Sequence, residues 1–125
     1  MLESLPSEPQ REAMLGALER YLTKQRLVTV TKMAVAGHDQ PRNVNGTVPD
    51  LEGLTEMVGQ PVFGVAERCD TYASDGARQR IDALSRVRNA EVFVAVPAQC
   101  YDWAKRYMES NFAGRNITVL PYGKA

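Results

Sequence analysis

Met14, Leu15, Leu18, Tyr21 and Leu22 recur at the three-to-four spacing that lines one face of a helix. Pro6-Ser7-Glu8-Pro9 supplies a start signal, with Ser7 as N-cap and acidic Glu8 in the first turn, and Lys24 and Arg26 near the end suit the far pole. This pattern predicts a helix over 8–25. From Leu27 to Val35 the chain becomes β-branched and alternating, which predicts a strand over 27–35. Residues 37–45 are rich in Gly, Asp, Pro and Asn and read as a loop, and Asn45-Gly46 is a hairpin-turn dipeptide. Short extended pieces follow at 47–51 and at 61–67, the second nearly all apolar and so expected in the middle of a sheet. Ser74-Asp75 can cap a second helix over 75–89 that buries Ala77, Ile81, Leu84 and Val87. A buried strand is expected at 91–96. A third helix over 98–113, opened by Pro97, carries Cys100, Trp103, Ala104, Tyr107, Met108 and Phe112 on one face, and a last strand is expected at 116–120.

The order is therefore α-β-β-β-α-β-α-β. Two β-α-β units in the second half imply parallel pairing, and the short connections in the first half imply antiparallel pairing. The expectation is an α/β fold with a mixed five-stranded sheet flanked by helices, one domain over residues 1–125. A chain of 125 residues with 44% apolar and 24% charged side chains has the composition to build such a core, which argues against disorder. No apolar run reaches the length of a membrane span, so no membrane partner is expected, and the first residues lack the pattern of a signal peptide. With two cysteines, Cys69 and Cys100, and no disulfide framework, a reduced cytoplasmic protein is expected.

Charge is balanced overall but unevenly placed. Residues 1–60 carry six basic and eight acidic side chains, a net of −2; residues 61–125 carry nine and seven, a net of +2. Arg68, Arg78, Arg80, Arg86 and Arg88 cluster along one stretch. A phosphate-binding surface would need them to face one way, whereas a solvated helix face would not.

The pair Asp50 and Glu67 carries the candidate chemistry. Asp50 follows Pro49 at the end of the short 47–51 segment, and Glu67 ends the apolar strand that follows. Two carboxylates on rigid strand ends are the smallest oxygen set that holds one Mg²⁺ together with waters and a substrate phosphate. Solvated strand-end carboxylates give the same sequence pattern, so the pair alone does not decide.

Pro49-Asp50, then Val65-Ala66-Glu67-Arg68-Cys69, then the arginine-rich helix containing Gln79, set in this order of elements, resemble the PD-(D/E)XK nuclease superfamily. The resemblance covers most of the chain in layout and few residues in motif. It implies a restriction-endonuclease-like three-layer fold and an ancestral Mg²⁺-dependent hydrolysis of DNA phosphodiesters. Asp50 and Glu67 are then the metal ligands, and Glu12 on the first helix is an additional acid, with Glu19 as a second choice. In that superfamily a lysine stands two residues after the glutamate; here Cys69 stands there, and a neutral thiol does not stabilise phosphate charge. Gln79 or Arg80 from the following helix can take over that role, or cleavage is weak or lost. A lysine at 69 would point to the same edge as Glu67, since side chains two apart on a strand share a face. The competing expectation is a non-catalytic interaction domain that homodimerises. His38 has no second histidine to make a zinc site or a triad, and Cys100 reads as a small core residue.

Overall fold

The computed structural model describes residues 8–123, so Ser7 and its expected capping role lie outside the described residues. Among the described residues, three α-helices, a 3-10 turn and five strands follow one another as α1 (Glu8–Gln25), β1 (Val28–Met33), β2 (Leu51–Thr55), β3 (Pro61–Ala66), α2 (Asp75–Ser85), β4 (Glu91–Pro97), the 3-10 turn Ala98–Cys100, α3 (Tyr101–Asn111) and β5 (Ile117–Tyr122). The sheet runs β1-β2-β3-β4-β5 in space as in sequence. β1, β2 and β3 form an antiparallel meander. β4 and β5 add in parallel, each after a crossover helix. The expected α/β architecture with a mixed five-stranded sheet between helices is what the structure has.

Strand alternation divides the core in two. Val62, Phe93 and Ala95 point to one face, where Met14, Leu15, Leu18 and Leu22 of α1 cover them together with Val28, Met33 and Leu51. Phe63, Val65, Val92, Val94, Val96 and Val119 point to the other, beneath Ile81 and Leu84 of α2 and Ala104, Met108 and Phe112 around α3. Because β3 and β4 are covered on both faces, they are apolar at nearly every position, as the sequence of 61–66 implied. Gly64 lets α1 come close. A Cβ there would lie 2.7 Å from a Leu18 methyl and 3.2 Å from the Leu51 Cβ.

Three expectations need correction. Trp103 is 65% exposed, since the buried stripe of α3 runs Ala104–Met108 and Trp103 lies a quarter-turn off it, beneath the Arg106 guanidinium. The 98–113 helix begins with a 3-10 turn, because Pro97 still pairs with Tyr122 as the end of β4. The second strand spans 51–55 rather than 47–51. Asn45-Gly46 does turn the chain, with φ of 52° and 87° and a bridge between Val44 and Thr47, but this is a small loop within 34–50. The reversal between β2 and β3 is made instead at Glu56–Gly59, where the Gly59 amide donates to Thr55.

Candidate acid–arginine site

Moving the strand four residues along the chain is what creates the site. In an antiparallel pair, the start of one strand lies beside the end of the other. Had 47–51 paired with 61–67, Asp50 near its end would have faced the start of the partner, away from Glu67. In the structure Asp50 immediately precedes β2, and Leu51 is opposite Gly64. The Asp50 amide donates to the Gly64 carbonyl, and its own carbonyl accepts from the Ala34 amide. Glu67 follows β3, its amide donating to the Ala95 carbonyl of β4. Both carboxylates thus stand at the carboxyl end of the parallel strands, held by backbone hydrogen bonds, and both are buried: Asp50 is 2% exposed and Glu67 8%.

Arginines fill the space around them. Asp50 Oδ1 accepts from the Arg11 guanidinium of α1 and, at 2.5 Å, from that of Arg80 on α2. Asp50 Oδ2 accepts from the Ala66 amide at 2.9 Å. Arg80 also lies 3.5 Å from Glu67 Oε2 and donates through Nε to the Val48 carbonyl. One guanidinium therefore spans both carboxylates, and α1 and α2, on opposite faces of the sheet, meet at its end through Asp50. Glu67 Oε1 accepts the Thr71 hydroxyl proton at 2.8 Å. Burial pushes the Glu67 carboxyl above the ordinary glutamate range, opposed by the Thr71 hydrogen bond and the Arg80 charge and reinforced by the charge of Asp50.

The candidates nominated from the sequence are divided by this geometry. Asp50 and Glu67 are brought together. Glu12 is exposed and makes no hydrogen bond to either, because the buried stripe of α1 runs through Met14, Leu15 and Leu18, and it is half-buried Arg11 that reaches the sheet end. Gln79 is exposed in a polar cleft with Asp75, Arg78, Asp82, Asn111 and Phe112, while its neighbour Arg80, about 100° around the helix, turns toward the acids. The arginine cluster does not form one basic face: Arg78 and Arg88 are exposed, Arg86 pairs with Asp82, and Arg80 is in the site.

Arg11, Thr71 and Glu52 were missed by sequence reasoning. A charged residue one turn before Leu15 on an otherwise apolar stripe was a readable signal for Arg11. Nothing local marks Thr71. Glu52 is 4% exposed and adjacent to Leu51, hence on the opposite sheet face; its carboxylate accepts from the Arg42 amide at 2.6 Å and pins the 34–50 loop over β2.

Cys69 also differs from expectation. β3 ends at Ala66, so residue 69 is in a turn, and the alternation that would have pointed it along the Glu67 edge no longer applies. It forms a disulfide with Cys100, their Cα atoms 5.7 Å apart. The expectation of two free thiols fails because parallel pairing of β3 and β4 brings the chain after each strand to the same end of the sheet.

As arranged, these residues do not fit a divalent cation. Every oxygen of the two carboxylates faces a donor, and the positive Arg80 guanidinium already spans both. Among the described residues, no group of three or more His, Cys, Asp or Glu side chains converges as ligands. No helix among the described residues is long and apolar enough to cross a membrane. Compared with known proteins, the chain matches no family model, no curated protein and no solved structure.

Proposed function

We propose that this chain is a divergent PD-(D/E)XK nuclease-like domain of restriction-endonuclease-like fold, in which Mg²⁺-dependent hydrolysis of DNA is weak or lost. The observation that carries this reading is Arg80 spanning Asp50 and Glu67. A helix, an antiparallel meander, a crossover helix and a parallel strand, with the two acids meeting at one sheet end, support the ancestral nuclease. The guanidinium between the acids supports the loss, because it neutralises the oxygens that a metal would need. Asp50 and Glu67 would be the ligands if Arg80 were withdrawn.

Plasmid nicking and thermal melting with and without 10 mM Mg²⁺ or Mn²⁺, on the order of a weak-site dissociation constant, test this. The wild type is expected to show neither nicking nor a raised Tm, whereas Arg80→Ala should gain a metal-dependent rise in Tm that Asp50→Asn/Arg80→Ala lacks. Wild-type nicking abolished by Asp50→Asn would overturn the loss of cleavage and make Arg80 a group acting on the phosphate. Absence of any metal response in Arg80→Ala would remove the nuclease ancestry from the reading.

One observation favours a second reading, a homodimerising interaction domain. Leu54, Met57 and Val58 on the β2–β3 hairpin are 45%, 86% and 80% exposed, and Leu27 lies beside them, its carbonyl accepting from the Glu56 amide. Grouped exposed apolar side chains of this kind mark contact surfaces. Sedimentation analysis of the wild type against Met57→Ser/Val58→Ser distinguishes the two: a dimer dissolved by the double substitution supports the interaction domain.

A further inference from the structure

We propose that the Cys69–Cys100 bridge is a site of thiol–disulfide exchange whose reduction loosens the cover over Glu67. The bridge and the turn it fastens are set by geometry, whatever the ancestry of the fold.

Cys69 is exposed and Cys100 is buried, so an incoming thiolate reaches the Cys69 sulfur first. Cys69 lies midway between Glu67 and Thr71. The Thr71 hydroxyl donates to the Glu67 carboxylate, while its oxygen accepts from the Arg68 amide at 2.9 Å. The turn that shields Glu67 is thus built from residues on both sides of Cys69, and the bridge fastens it to the 3-10 turn after β4. The cysteines are 31 residues apart, and the segment they close contains the whole of α2, including Arg80. The side chains that reach Glu67, Thr71 and Arg80, both belong to that segment. The backbone of Glu67 is secured separately, by its bond to Ala95 on β4, so opening the bridge frees the cover and leaves the acid in place.

The exchange uses a dithiol as co-reactant. Its thiolate attacks Cys69 Sγ, forming a mixed disulfide and expelling Cys100 as a thiolate that takes up a proton. Its second thiol, giving up its proton, attacks the reductant's own sulfur in the mixed disulfide and expels Cys69 as a thiolate, which takes up that proton. Two electrons pass to the protein, and the reductant leaves as its disulfide. Cys100 has a partner when reduced: its sulfur is 3.4 Å from the Pro97 carbonyl, which can accept the new S–H.

The test uses the full chain, treated with dithiothreitol or left oxidised, with alkylation and mass spectrometry to count free thiols. Two readings follow: amide hydrogen exchange across 68–74, and carbodiimide-promoted amidation of the Glu67 carboxyl located by peptide mapping. Reduction should accelerate exchange in 68–74 by about tenfold or more, equivalent to about 1.4 kcal/mol of local opening, with α1 amides unchanged. Glu67 labelling should quicken with it. Cys69→Ser/Cys100→Ser should reproduce the reduced pattern and no longer respond to dithiothreitol; if that variant does not fold, the reduced wild type carries the same comparison. A bridge that dithiothreitol opens only on global unfolding would overturn the proposal. So would a reduced, folded protein in which 68–74 and Glu67 behave as in the oxidised form.

Discussion

Asp50→Asn and Glu67→Gln make the same chemical change on the two carboxylates that Arg80 spans, and the structure requires opposite responses. Asp50 accepts from two guanidinium groups and the Ala66 amide. An asparagine keeps one acceptor but turns an NH₂ group toward donors, leaving Arg11 without its carboxylate and Arg80 with only Glu67, 3.5 Å away. Breaking a buried ion pair by removing one partner costs about 3–5 kcal/mol. The Arg11 and Arg80 side chains retain 32% and 22% exposure, so the low end, about 3 kcal/mol, is the expectation. At a urea m-value of about 1.5 kcal/mol/M, that lowers the unfolding midpoint by about 2 M.

Glu67 is the reverse case. Its folded-state pKa is raised chiefly by burial, so the native state binds the proton more tightly than the unfolded chain. Such a group makes the protein less stable as pH rises from about 4.5, the ordinary glutamate value, through the raised folded value. Glutamine keeps an acceptor for the Thr71 hydroxyl and carries no charge to desolvate. Glu67→Gln is therefore expected to be at least as stable as wild type at pH 8, with the advantage vanishing toward pH 4. Urea unfolding of the three proteins at half-unit steps from pH 4 to 8 checks both signs. A Glu67→Gln protein that loses as much as Asp50→Asn at pH 7, or whose difference from wild type does not change with pH, would refute these opposite roles.

On α2, Arg80→Ala should cost about 2–3 kcal/mol by uncovering Asp50, while Gln79→Ala stays within about 0.5 kcal/mol, as differential scanning calorimetry can show. Cys69→Lys removes the bridge without placing an ammonium beside Glu67, so it should lower Tm and give no plasmid nicking; nicking would mean that the 68–74 turn folds back as strand. Gly64→Ala should cost about 1–3 kcal/mol through the Leu18 contact, and pairing it with Leu18→Ala should recover part of that loss in a double-mutant cycle. Phe93→Ala, emptying the fully buried centre beneath α1, should cost about 3–5 kcal/mol by the same denaturation measurement.

Periodicity and turn chemistry alone were enough for the bounds of α1, the apolar strands β3 and β4, and the split into an antiparallel front and a parallel back. These follow from local rules: helical spacing at Met14–Leu22, unbroken apolarity at 62–66 and 92–96, a cap at Ser74 whose side chain does accept from the Ala77 amide. The register of β2 was not legible, because 47–51 and 51–55 are both short and neither alternates strongly; the choice is made by Leu51 packing under α1 and Gly64 giving it room. The partners of Asp50 were not legible either. Arg11 lies 39 residues before it and Arg80 lies 30 after, and which of Gln79 and Arg80 faces the acids depends on how α2 rotates when Ile81 and Leu84 seat in the core. The disulfide belongs with these. Cys69 and Cys100 follow two strands whose parallel pairing, a long-range contact, puts both chain ends at one end of the sheet. Local spacing states what each segment becomes; only the packing of segments far apart in the chain states which charges and sulfurs meet.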